Sequence, residues 1–185
     1  MNAVETSLPG VVLVELQAFA DARGFLFESY RRAAHAALGI DRTFVQDNFS
    51  HSKRGTLRGL HYQLRHPQGK LVHVTRGEVF DVAADIRVGS PTFGRWFGTV
   101  LGADNHRQLW IPEGFAHGFI VLSDTADVVY KVTAEYDRED DHVIAWNDPT
   151  LAIDWPPVGE APLLSRRDAA APVLAGNAHL PSYQS

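Results

Sequence analysis

The sequence predicts an all-β protein, a sandwich or barrel of short strands with a few short helices. Three observations carry this. Extended apolar segments recur at close spacing between turn signals. One of them alternates strictly, with Phe80, Val82, Ala84 and Ile86 set against Asp81, Ala83, Asp85 and Arg87. Helical composition is confined to short stretches, the clearest being the alanine-rich run from Tyr30 to Leu38.

From the N-terminus, Val11 to Leu16 reads as a first strand, and Asp21 to Glu28 as a turn running into a second. Ser29 is placed to cap a helix over Tyr30 to Leu38 that Gly39 ends. Phe44 to Phe49 is extended. Leu71 to Thr75 and Val79 to Arg87, joined through Arg76-Gly77-Glu78, read as a hairpin. Gly89-Ser90-Pro91-Thr92 turns the chain. Short strands are expected at Phe97–Leu101, Gln108–Ile111, Phe115–Leu122 and Asp127–Thr133. Asn147-Asp148-Pro149-Thr150 and Asp154-Trp155-Pro156-Pro157 punctuate the last third of the chain. No repeat or linker divides the 185 residues, so a single domain over 1–185 is expected, its end from about Ala169 loosely held.

Composition narrows the function. The formal net charge is -5 with no basic stripe, which argues against nucleic acid as a partner. No apolar run approaches the roughly 20 residues that a membrane span needs. The first residues lack a secretory signal, and there is no cysteine. Disulfides and thiolate chemistry are therefore excluded, and a reducing, cytoplasmic setting is expected. Any metal would fall to histidine and carboxylate ligands.

The chemistry concentrates in two segments, Leu57-Arg58-Gly59-Leu60-His61-Tyr62-Gln63 with Gln68-Gly69-Lys70, and Ile111 to Phe119 with His117. Two strand histidines, each after a glycine-marked bend, suggest one polar pocket inside a barrel. Histidine titrates near neutral pH, so His61 is a candidate base, although a satisfied core histidine reads equally well from the strand alone. Lys70 would be an ordinary solvated lysine unless a dry pocket holds it. Tyr130 shares a strand face with Val128 and Val132 and reads as core. Ser165-Arg166-Arg167-Asp168 fits a capping box, with Asp168 as its acid.

Taken together, these segments resemble the dTDP-4-dehydrorhamnose 3,5-epimerases. Supporting segments are Asp21-x-Arg23-Gly24-Phe25, Gln46-Asp47-Asn48, Gly89 to Gly94, Pro112-x-Gly114 to Phe119, Tyr130-Lys131-x-Thr133, Trp146 to Pro149 and Ile153 to Pro156. The resemblance runs from about Val11 to Asp168. It implies a cupin-type jelly-roll barrel, a homodimer exchanging N-terminal strand material, and epimerisation without cofactor or metal. The implied substrate is a thymidine-diphosphate 4-keto-6-deoxy sugar on the way to dTDP-L-rhamnose.

A 4-keto group acidifies the hydrogens at C3 and C5, so inversion needs a base, an acid on the opposite face and a donor at the enolate oxygen. The resemblance makes His61 the base, Asp168 its partner, Tyr130 the acid and Lys70 the group beside the enolate oxygen. It gives substrate contacts to Arg23, Glu28, Gln46, Asp47, Asn48, Arg58, Lys70, His117, Asp141 and Arg167, and a stacking role to Tyr136. His117 is expected to bond substrate or Asp85. Two positions depart from the family pattern: Arg167 stands for a lysine and Asp141 for a glutamate. Metal-binding cupins carry His-x-His where this chain has His61-Tyr62-Gln63, so no metal is expected. The alternatives are an epimerase acting at one carbon only, a metal-dependent cupin enzyme, and a non-catalytic sugar-binding cupin.

Overall fold

The computed structural model describes residues 1–183. Two antiparallel sheets face each other. The six-stranded sheet runs β1 (Asn2–Glu5), β2 (Val12–Glu15), β10 (Arg107–Ile111), β7 (Lys70–Arg76), β12 (Thr125–Val132) and β5 (Gln46–Lys53). The five-stranded sheet runs β13 (Asp141–Val143), β6 (Leu57–Gln63), β11 (Phe115–Val121), β8 (Glu78–Asp85) and β9 (Trp96–Gly102). A separate hairpin pairs β3 (Phe19–Asp21) with β4 (Gly24–Leu26), and two short helices, α1 (Arg32–Ala37) and α2 (Arg166–Ala169), complete the chain. This is the all-β jelly roll that the sequence predicts.

Side chains alternate about the sheets, and both faces of the five-stranded sheet are covered. Val72, Val74, Val79, Ala83, Leu101, Leu109, Phe119 and Val128 fill the space between the sheets. Behind the five-stranded sheet, Leu60, Tyr62, Val82, Ala84 and Ile86 pack under the chain's last third. Asp81 and Asp85, on the polar side of the alternation, therefore point into the barrel and are fully buried.

Three expectations are corrected. The hairpin over Leu71 to Arg87 does not form: β7 pairs with β10 and β12, while β8 pairs with β11 and β9. Gly77 instead carries the chain from one sheet to the other at φ +71, so close to β12 that a Cβ would stand 2.1 Å from the Thr125 carbonyl oxygen. A local glycine signal marks the bend but not the partner. Ser29 does not cap α1, whose N-cap is Arg31 with no side-chain bond; the Ser29 carbonyl instead accepts from Gln108. The segment after Ala169 is held down to the last described residues. Leu174 is buried, Leu180 packs on the second core, the Tyr62 hydroxyl donates to the His179 carbonyl, and Tyr183 N–H donates to the Val88 carbonyl.

β6 carries the one irregularity that matters for the site. On β11, His117 faces His61 and Phe119 faces Arg58, so three steps on β6 match two on β11. Strict alternation would put Arg58 and His61 on opposite faces. The bulge turns both to the same interior. Gly59 makes it possible at φ +126, where a Cβ would lie 2.6 Å from Gly118 Cα.

Candidate active site

The barrel interior is apolar at one end and polar at the other. The polar end is a cavity of about 310 Å3 whose lining includes Asn48, Arg58, His61, Gln63, Gln68, Lys70, His117, Phe119, Tyr130, Tyr136 and Asp141. β6 and β11 bring His61 and His117 from one sheet, and β7 and β12 bring Lys70 and Tyr130 from the other.

His61 Nε2 lies 2.7 Å from Asp168 Oδ1, leaving Nδ1 without a bonded partner among the described residues. Asp168 arrives on α2, which is anchored by a bridge between Thr56 and Leu163 at the foot of β6. Burial works to raise its carboxyl, but bonding to and charge from His61, with Ser165 and Arg167 acting the same way, outweigh that and hold it below the usual carboxylate range. The capping box divides its roles here. The Ser165 hydroxyl accepts from the Asp168 N–H at 3.0 Å, and the Asp168 carboxylate is free to reach His61.

Lys70 is almost wholly buried, and its Nζ donates across the interior to the His61 carbonyl at 3.2 Å. Burial pulls it down to about 8, against the opposing pull of the Asp141 and Asp81 carboxylates. Burial likewise raises the Tyr130 phenol, with Arg58 pulling the other way, so Tyr130 stays protonated at neutral pH.

His117 is buried beside Asp81, Nε2 to Oδ2 at 2.9 Å, which corrects the expected pairing with Asp85. Both carboxylates lie diagonally across from His117 in the β8–β11 register. Asp85 is held instead by Arg87, Ser90 and Thr92 in the turn beyond β8. Arg58 Nε donates to Ser52 Oγ.

At the mouth, the two departures from the family pattern meet each other: Arg167 pairs with Asp141, and the Tyr136 hydroxyl donates to the same carboxylate at 3.0 Å. Asn48 lines the cavity from β5, and Gln46 stands behind it, bonded to Asn48 and to the Tyr136 N–H. Asp47 does not. It projects from the opposite face of β5 and pairs with Lys131. Arg23 and Glu28 also stand apart from the cavity, exposed and paired with Asp21 and Arg31. The sequence pattern gives no role to Asp81, Gln63 or Phe119, although its period-two alternation sets Asp81 on the polar side of its strand. Among the described residues no three of His, Asp or Glu are arranged to hold a metal ion, and no helix is long and apolar enough to cross a membrane.

A jelly roll whose interior presents an imidazole–carboxylate pair, a dehydrated ammonium and a protonated phenol has the parts for proton exchange beside a carbonyl, the chemistry of a sugar-nucleotide epimerase. The family model described as dTDP-4-dehydrorhamnose 3,5-epimerase matches residues 5–176. A Pseudomonas aeruginosa protein of that name is 56% identical over 176 residues, covering 95% of this chain and 97% of that one. The crystal structure of dTDP-6-deoxy-D-glucose-3,5-epimerase from Legionella pneumophila, in complex with dTDP-4-keto-L-rhamnose, superposes with a TM-score of 0.96 at 52% identity, covering 100% and 99% of the two chains. A 3'-monoepimerase from Streptomyces bikiniensis in complex with dTDP-quinovose reaches 0.90 at 37% identity, covering 96% and 92%. This chain belongs to the dTDP-4-dehydrorhamnose 3,5-epimerase family.

The electrostatics of the site can be tested at two residues. Lys70 is charged below about pH 8 and neutral above it, so kcat/KM should fall as pH rises through that value, and Lys70→Met should lower the rate and remove that limb from the pH profile. Asp168→Asn should lower kcat by about 10²-fold. Ser165→Ala, which removes only the cap, should cost about 1 kcal/mol of stability in thermal unfolding and leave kcat within a few-fold of wild type.

Proposed function

We propose that this protein converts dTDP-4-dehydro-6-deoxy-D-glucose to dTDP-4-dehydro-L-rhamnose by epimerisation at C3 and C5. The observation that carries the reading is the opposition of His61 and Tyr130, on facing sheets, across a cavity with Lys70. His61 Nδ1 takes the proton next to the 4-keto group, and Asp168 stabilises the imidazolium. The electron pair moves onto O4, where the buried Lys70 ammonium offsets the developing charge. Tyr130 returns a proton from the other face, and solvent resets both groups. The same cycle at the second carbon completes the reaction.

Arg58, His117, Asn48 and Gln46 suit the sugar and its phosphates, and Tyr136 the thymine ring. Arg167 and Asp141, bonded to each other, close the rim. A homodimer accounts for Arg23 and Glu28. Both lie on or next to a hairpin whose Phe19, Phe25 and Leu26 are largely exposed. Exposed aromatic surface of that kind is what a partner covers, and an exchanged N-terminal segment brings those charges to the partner's cavity. Asp47, on the outer face of β5, has no part in the site of its own protomer. The lack of cysteine suits work in the cytoplasm.

The test is turnover of the dTDP keto sugar in deuterated water, followed by NMR. Wild-type protein should place deuterium at both C3 and C5. His61→Asn should abolish uptake while circular dichroism stays unchanged. Tyr130→Phe should slow epimerisation more than initial proton loss. Label at one carbon alone would identify a single-centre epimerase, and binding with no label a non-catalytic protein.

A further inference from the structure

Gln63 ends β6 two residues after His61, on the same face, and only 3% of it is exposed. Its side chain is wholly committed to main chain. Nε2 donates to the His66 carbonyl at 2.8 Å and the Glu135 carbonyl at 3.2 Å, and Oε1 accepts from Asp137 N–H at 2.9 Å. One buried amide thus ties the turn leaving β6 to the segment entering β13. It grips that segment at the residues on either side of Tyr136.

Tyr136 is fixed twice more, through its N–H to Gln46 and its hydroxyl to Asp141, while half of its surface stays open at the cavity mouth. A flat apolar ring with an anchored backbone and an anchored hydroxyl is a stacking platform. Its tilt is set by the two peptide units that Gln63 holds. A buried amide is an expensive group to leave unpaired, so this clasp closes completely or not at all.

We propose that Gln63 is a positioning residue for the nucleotide end of the site: by fixing the main chain on both sides of Tyr136, it sets the plane against which a pyrimidine ring of the substrate stacks. This rests on the epimerase reading and adds a residue to it that never touches the reacting carbons.

The test compares Gln63→Leu, Gln63→Glu, Tyr136→Ala and the Gln63→Leu/Tyr136→Ala pair, by calorimetric binding of dTDP alone and by kcat and KM. Gln63→Leu should weaken dTDP and raise KM by about tenfold, equivalent to ~1.4 kcal/mol, with kcat down by no more than about threefold. Gln63→Glu keeps the acceptor for Asp137 N–H and should recover part of the affinity. The paired variant should bind dTDP no more weakly than Tyr136→Ala, because the platform is already gone. Unchanged dTDP affinity in folded Gln63→Leu, or losses that simply add in the pair, would overturn the proposal. If the Leu variant does not fold, Gln63→Glu and its pair with Tyr136→Ala decide by the same comparison. Binding of dTDP needs no turnover, so a protein that shows these effects without deuterium uptake would count against epimerisation and not against Gln63.

Discussion

One imidazole, gripped by a carboxylate that reaches it from 107 residues further along the chain, is the interaction on which the rest of the site depends. His61 can face the cavity only because β6 gains a residue on β11 between it and Arg58, and because Gly59 and Gly118 let the two backbones meet there. It is held only because the chain beyond β13 packs down behind the five-stranded sheet and delivers α2 to the right place. The second core, with Leu60 and Tyr62 on the back of the strand that carries His61 on its front, joins tail packing to site geometry.

The charges around this pair are arranged for a group that changes its protonation. Asp168 is kept ionised by the partner it orients, although burial opposes this. Lys70 sits on the edge of neutrality, with enough opposing carboxylate around it to remain an ammonium where the reaction is expected to run. Tyr130 is pushed the opposite way and holds its proton. An imidazole and a phenol on facing sheets, with the Lys70 ammonium in the same cavity, are the arrangement that the proposed two-faced proton exchange calls for.

The fold was legible where period-two alternation and turn residues act locally, and β9 to β12 fall within a few residues of their expected bounds. It was not legible where the outcome depends on which sheet a strand joins. Gly77 signals a bend in either case, and Asp81 looks polar whether it meets water or His117. Candidate residues near one another on β6 and β7 could be read as a cluster, but the facing of Arg58 and His61 could not, because the bulge breaks the alternation that sequence reading relies on. Asp168 read as a cap on spacing alone. In the folded chain its N–H donates to the Ser165 hydroxyl while its carboxylate reaches His61, so the cap and the histidine contact use two ends of one residue. Arg23, Glu28 and Asp47 came from the resemblance, and none of them reaches the cavity of its own chain.

The site requires that Asp168 hold the Nε2–H of His61 and leave Nδ1 bare toward the cavity. Nitrogen-15 NMR of histidine-labelled protein, with His61 assigned by its loss in His61→Asn, tests it directly. The expected spectrum is that of a neutral ring protonated at Nε2 with a strongly hydrogen-bonded proton, and this single tautomer should be lost in Asp168→Asn. A proton fixed on Nδ1, or the mixed tautomers of a free imidazole in the wild-type protein, would contradict it.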